Sequence, residues 1–309
     1  MATEGRGKRI ALVLGAGGAR GLAHIGVIEA LEARGYEIAA IAGSSMGALV
    51  GGIHAAGQLT AYRDWVETME RSDVLRLLDV AFGAPGLIRG DRVIGSLREL
   101  VGSHRIESLP MPFVAVATDL ATQREVWFQS GPLFDAIRAS IAIPMVFTPH
   151  FINGRELVDG GLLAPLPLAA TRSFHCDYVV AVDLNGRAPK APRVEPVPLS
   201  EAEMFNDETE AGEPGWRRRI GAWFGSSPST GEISVPAAPS GVSGLLDLMS
   251  RSMDTMHSQI TRLHVAQDPP DLIIRIPRET AAFYEFWRAK ELREAGQRIA
   301  DDALAQWVR

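Results

Sequence analysis

Twice near its start the chain runs a short β-type apolar stretch into glycines and out into a helical pattern. Ile10–Leu14 stops at Gly15, and apolar residues then recur at Leu22, Ile25, Ile28 and Leu31, which predicts a helix over 22–33. Ile38–Ile41 passes through Gly43-Ser44-Ser45-Met46-Gly47 into a small-residue helix predicted over 46–56. A repeated strand–turn–helix unit of this kind specifies an α/β fold around a mostly parallel sheet flanked by helices.

Further along, helices are expected near 61–71, 92–101, 245–265 and 282–307, and strands at 113–118, 125–128, 178–182 and 272–276. Residues 151–158 hold Asn153-Gly154 between apolar alternations, a tight-hairpin signal. From Glu195 to Glu213 every charged residue is acidic, and a Ser/Pro/Gly-rich run follows to about Ser243. A long aperiodic stretch of this sort reads as a mobile insertion, 186–241. Strands are expected on both sides of it, so 1–309 counts as one domain. With 309 residues, 46% of them hydrophobic, the chain can bury a large core.

Composition excludes several classes. A net charge of −6 gives no invitation to nucleic acid. Cys176 is the only cysteine, so no intrachain disulfide can form, and a reducing, cytoplasmic location fits. The start, GKRIALVLGAGGAR, mimics a signal peptide, but its apolar run is short and breaks at Gly15 and Gly17. No run reaches the length of a membrane span. Histidines, cysteine and carboxylates show no metal-ligand spacing, and no cofactor is expected.

Gly43–Gly47 fits G-x-S-x-G with Ser45 central, between a strand and a helix, the context in which such a serine can be a nucleophile. Gly43 and Gly47 let backbones pack closely around a sharp turn, and Ser45 falls at a helix N-terminus, where developing negative charge is favoured. Ser44 should point the other way. Leu14–Gly21, LGAGGARG, also follows a strand and opens a helix. As a dinucleotide fingerprint it fails, because Arg20 stands where the third glycine belongs. Its other use is anion binding, with the Gly17 and Gly18 amides aimed at an oxyanion and Arg20 holding the loop or adding positive charge. None of the seven histidines sits in a catalytic context, and none has Asp five positions later. The better proton acceptor is Asp159 in VDGGLLAPLP, at a strand end before Gly160 and Gly161. A buried carboxylate beside a hydroxyl acts as a base if desolvation raises its pKa.

Together these pieces resemble the patatin-like phospholipases, in particular the bacterial branch related to neuropathy target esterase. The family order is G-x-G-G-x-R-G, G-x-S-x-G, then D-G-G, present here as Gly15–Gly21, Gly43–Gly47 and Asp159–Gly161. Arg138–Pro149, RASIAIPMVFTP, looks like the family segment before the aspartate, and the resemblance spans 9–185 and about 271–304. It implies a patatin-like three-layer fold and a serine acyl hydrolase acting on glycerolipid or lysolipid esters. It also implies a Ser45–Asp159 dyad and an oxyanion hole from Gly17, Gly18 and the Met46 amide. The alternative is a non-catalytic lipid-binding or regulatory protein on the same fold. One departure bears on that: Ala164 stands where the family often has Asn.

Within the insertion, Trp216, Ile220, Trp223 and Phe224 share one helical face, with Arg217, Arg218 and Arg219 mostly elsewhere. That pattern suits an interfacial helix making peripheral membrane contact, and equally a lid packing on its own domain.

Overall fold

The computed structural model describes residues 7–79, 88–186 and 242–307. The insertion, apart from Gly186, lies outside them, as does its amphipathic segment from Trp216 to Phe224. Contacts divide the chain into Met1–Pro196 with Ser252–Arg309, and Val197–Arg251. The sheet and everything below belong to the first unit. Of the second, only the described start of one helix, 242–251, is available.

The sheet contains β1 (Arg9–Leu14), β2 (Glu37–Ser44), β3 (Phe113–Asp119), β4 (Arg124–Phe128), β5 (His150–Ile152), β6 (Arg155–Asp159), β7 (Tyr178–Gly186) and β8 (Leu272–Pro277). Its order is β5-β6-β3-β2-β1-β7-β8, with β4 also paired to β3. The five strands from β3 to β8 along this path are parallel, while β4, β5 and β6 join antiparallel. The helices are α1 (Ala23–Ala33), α2 (Met46–Ala55), α3 (Leu59–Glu67), α4 (Arg71–Leu77), α5 (Asp91–Val101), α6 (Leu133–Ser140), α7 (Val242–Gln267) and α8 (Ala289–Gln306).

The period of two sorts the central strands between layers. Leu12 and Leu14 join the main core with α1, α2, α6 and α8, while Val13 packs oppositely with Leu166, Leu168, Ala181 and Val265 of α7. In β3, Phe113 and Ala115 face the main core, whereas Val114 and Val116 pack with Ala42, Ala164 and Ala170. Helices α1 and α8 touch backbone to backbone. A Cβ on Gly26 would strike the Arg293 carbonyl, and one on Gly296 the Ala23 carbonyl.

Three expectations change. The helix expected over 61–71 is two, because Glu70 is extended and, with Asp73, forms a capping box that starts α4 afresh. The last helix begins at Ala289. Ahead of it Ala281 is extended, and the Glu285 carboxylate accepts from the Ala282 amide and the Arg288 guanidinium, both at 2.8 Å, which fixes a turn. Helix α6 stands where no helix was expected, although Leu133, Ala136 and Ile137 fall at i, i+3 and i+4 and turn with Phe134 into the core. The hairpin stands as read: Asn153 and Gly154 both have positive φ, 51° and 76°, as a tight two-residue turn between β5 and β6 requires.

Candidate active site

Strand order brings the three motifs to one place. Strands β1 and β2 are parallel neighbours with Leu14 opposite Gly43, so the glycine loop and the serine turn leave the same sheet edge. Strand β6 runs antiparallel to β3 with Asp159 opposite Ala117, which returns the aspartate towards that edge. There the Ser45 hydroxyl donates to Asp159 Oδ2 at 2.6 Å, and both residues are buried.

The serine turn is strained. Ser45 has φ 55° and ψ −126°, a conformation that costs a non-glycine residue about 1–3 kcal/mol and must be held from outside. Its amide donates to Ser140 Oγ at 2.9 Å, and Ser140 Oγ donates to the Val116 carbonyl at 2.6 Å. Side chains at Gly43 or Gly47 would run into the Gly47 and Leu14 carbonyls respectively. Ser44 is buried, with its hydroxyl oxygen beside Gly160.

Asp159 is positioned from every side. Its Oδ1 accepts from the Gly161 amide at 2.6 Å, its carbonyl accepts from Thr118 Oγ1 at 3.1 Å, and its amide donates to the Ala142 carbonyl at 2.9 Å. A Cβ on Gly160 would meet the Val116 carbonyl, so glycine is what lets the turn lie on β3. Burial pushes the Asp159 pKa up to about 7, against the Ser45 and Gly161 hydrogen bonds that pull it down. The group therefore exchanges a proton near neutrality.

The glycine loop presents free donors. The amides of Gly15, Ala16 and Ala19 are taken by the carbonyls of Val182, Pro165 and Phe283. Those of Gly17, Gly18 and Met46 have no hydrogen-bond acceptor among the described residues. Unpaired amides at a buried turn and a helix N-terminus suit an anion. Gly18 has φ +57°, which glycine adopts without strain. Side chains at Gly15 or Gly17 would crowd Val182 O and Leu184, and one at Gly21 would overlap Met46. The loop is thereby seated on the first turn of α2.

Arg20 reaches several parts of the fold at once. Arg20 is 2% exposed. It donates to the Gly17 carbonyl at 3.1 Å, Asn185 Oδ1 at 3.3 Å, the Arg278 carbonyl at 3.2 Å and Asp254 at 2.6 Å. Asn185 in turn donates to the Ala16 carbonyl at 3.2 Å. On the same loop, His24 Nε2 lies 2.9 Å from the Gly15 carbonyl, and burial lowers its pKa to about 4, so a neutral ring donates there.

Ser140, Thr118, Asn185 and Asp254 escaped the sequence reading. Each is an ordinary polar residue whose partner is distant in sequence. Ala164, 0% exposed, lies in the apolar cluster with Ala42, Val114, Val116 and Ala170. Its amide still donates to the Gly160 carbonyl at 2.8 Å, so the turn is closed by backbone. Among the described residues no group of three His, Cys, Asp or Glu is placed to hold a metal ion, and no helix is long and apolar enough to cross a membrane.

The patatin-like phospholipase family matches residues 12–172, more than half of the chain. The chain belongs to the patatin-like phospholipase family. An uncharacterized NTE family protein of Mycobacterium tuberculosis is 41% identical over 329 aligned residues, covering 96% of this chain and 91% of the relative. Human patatin-like phospholipase domain-containing protein 6 is 31% identical over 191 residues, covering 59% of this chain but only 14% of the relative. Among solved structures, VipD of Legionella pneumophila aligns with a TM-score of 0.42 at 14% identity, over 96% of this chain and 67% of that one. Family membership points to a lipid acyl hydrolase.

Proposed function

We propose that this patatin-like protein hydrolyses fatty-acyl esters of glycerolipids or lysolipids through an acyl-serine intermediate, with Ser45 as nucleophile and Asp159 as general base. The observation that carries the reading is the 2.6 Å hydrogen bond from the Ser45 hydroxyl to a fully buried carboxyl group poised near neutral pH. In the first half-reaction Ser45 Oγ attacks the ester carbonyl while its proton passes to Asp159 Oδ2. The carbonyl oxygen, now negative, is received by the Gly17, Gly18 and Met46 amides, whose lack of partners supports that role. Collapse of the tetrahedral intermediate expels the alcohol, which takes the proton from Asp159. Water then attacks the acyl-serine, giving a proton to Asp159, and that proton returns to Ser45 as the fatty acid leaves. No histidine enters the sequence of steps.

The alternative, a non-catalytic lipid-binding or regulatory protein on the same fold, has Ala164 as its hint, and Ala164 packs in an apolar cluster with Val116, whose carbonyl accepts from Ser140 Oγ. Hydrolysis of a p-nitrophenyl acyl ester and of lysophosphatidylcholine by wild type, Ser45→Ala and Asp159→Asn tests the reading. Activity in wild type that both folded variants lack supports it. No hydrolysis of either, with no fluorophosphonate labelling of Ser45, refutes it. The amphipathic segment from Trp216 to Phe224 is proposed to meet lipid, and liposome flotation unaffected by anionic lipid would count against that.

A further inference from the structure

Helix α7 carries a histidine that the proposed steps do not use. His257 is 7% exposed, and neither Nδ1 nor Nε2 has a hydrogen-bond partner among the described residues. Two idle ring nitrogens in a buried position are costly, and the neighbourhood indicates what the ring is for. A Cβ built on Gly161 would stand 3.1 Å from His257 Nε2 and 2.9 Å from Asp159 Oδ1. The imidazole Nε2 and the carboxyl Oδ1 thus both lie within about van der Waals reach of the place where a Gly161 side chain would stand, which glycine leaves empty. Oδ1 is the oxygen that Ser45 does not use; it accepts the Gly161 amide and keeps lone-pair capacity for more.

The helix that carries the ring is anchored on both sides of His257. One turn before it, Asp254 binds Arg20 at 2.6 Å. Two turns beyond, His264 Nδ1 lies 3.3 Å from the Leu166 carbonyl, and Val265 packs on Leu166 and Leu168. The charged groups bearing on His257 are Asp254 on its own helix and Arg20 from the glycine loop; the groups bearing on Asp159 are two neutral donors, the Ser45 hydroxyl and the Gly161 amide. Burial brings the His257 pKa down to about 4, so the ring is neutral wherever Asp159 titrates and offers one N–H.

Resting on the Ser45–Asp159 reading, we infer that His257 is a positioning residue for the base: its Nε2–H is directed at the Oδ1 side of Asp159 across Gly161 and favours the carboxylate over the acid. In a site this dry an N–H dipole acts without a direct hydrogen bond. Gly161 is then required twice, as donor to Oδ1 and as the absence of a side chain between ring and carboxyl.

Two measurements test this. The first follows the His257 imidazole resonances, assigned through His257→Gln, from about pH 5 to about pH 9 in wild type and in Asp159→Asn. The expected result is an inflection near neutral pH in wild type, reporting Asp159 ionisation, and none in Asp159→Asn. A wild-type ring with no such inflection overturns the inference whether or not the protein hydrolyses an ester, so its failure is separable from failure of the proposed function. The second is kcat/KM against pH on a soluble ester. His257→Leu should move the acid limb up by about half a unit, roughly a threefold loss near pH 6 that fades by about pH 9, while His257→Gln, which keeps a donor, should follow wild type. A loss equal at every pH, shared by both variants, assigns His257 to packing alone and overturns the inference.

Discussion

Replacing Asp159 by Asn should abolish hydrolysis and yet stabilise the fold, increasingly as pH rises. The carboxyl group has a pKa of about 7 when folded, against an ordinary 3.8. Below the ordinary value both states are protonated and the group contributes nothing to the pH dependence. As pH rises through it, the unfolded chain ionises while the folded one holds its proton, so stability falls until the folded group ionises too, near pH 7. Above that the cost is complete, about 4 kcal/mol for a shift of roughly three units. At about pH 4.5 it is only about 1 kcal/mol. Asn carries no such term. It also fits the hydrogen bonds, since its oxygen can accept the Gly161 amide while its NH2 donates to Ser45 Oγ. The gain from Asp159→Asn should therefore be about 3 kcal/mol larger at about pH 8 than at about pH 4.5, or about 6 °C in melting temperature. Paired thermal melts at the two values isolate it, because every other titration cancels between variant and wild type. An equal shift at both pH values, or a destabilised variant at about pH 8, would refute the claim that burial raises this carboxyl group.

Ser140→Ala removes the acceptor of the Ser45 amide and leaves a buried N–H unsatisfied; a loss of about 1–3 kcal/mol in denaturant melts and about a tenfold fall in kcat/KM are expected. Arg20→Lys keeps the charge but not the fork that reaches Gly17, Asn185, Arg278 and Asp254 together, so a loss of about 3 kcal/mol or more is expected, with slower fluorophosphonate labelling of Ser45. Ala164→Asn places an amide among Ala42, Val114 and Val116, and its melting temperature should fall while the acid limb of kcat/KM stays in place.

Much of this protein was legible as a string because the motifs are local. A short apolar run ending in glycine and opening a helix reads as a strand feeding a crossover, and glycines two before and two after Ser45 specify a turn that no bulkier pair could close. The Asn153-Gly154 hairpin was readable for the same reason: its backbone demands positive φ at adjacent positions. Boundaries were less legible where a side chain decided them, as with Glu70 restarting a helix and Glu285 delaying one.

The sequence by itself determined which residue types stand at which turns, and through them the family. Tertiary structure alone decided their partners, because hydrogen bonds across the fold leave no periodic trace. The Ser45 amide is held by Ser140, 95 residues away, Arg20 by Asp254, 234 residues away, and only the pairing of β6 with β3 brings Asp159 to Ser45. Burial, which raises the pKa of that ordinary aspartate to about 7, is a property of the packed molecule and of no residue in it.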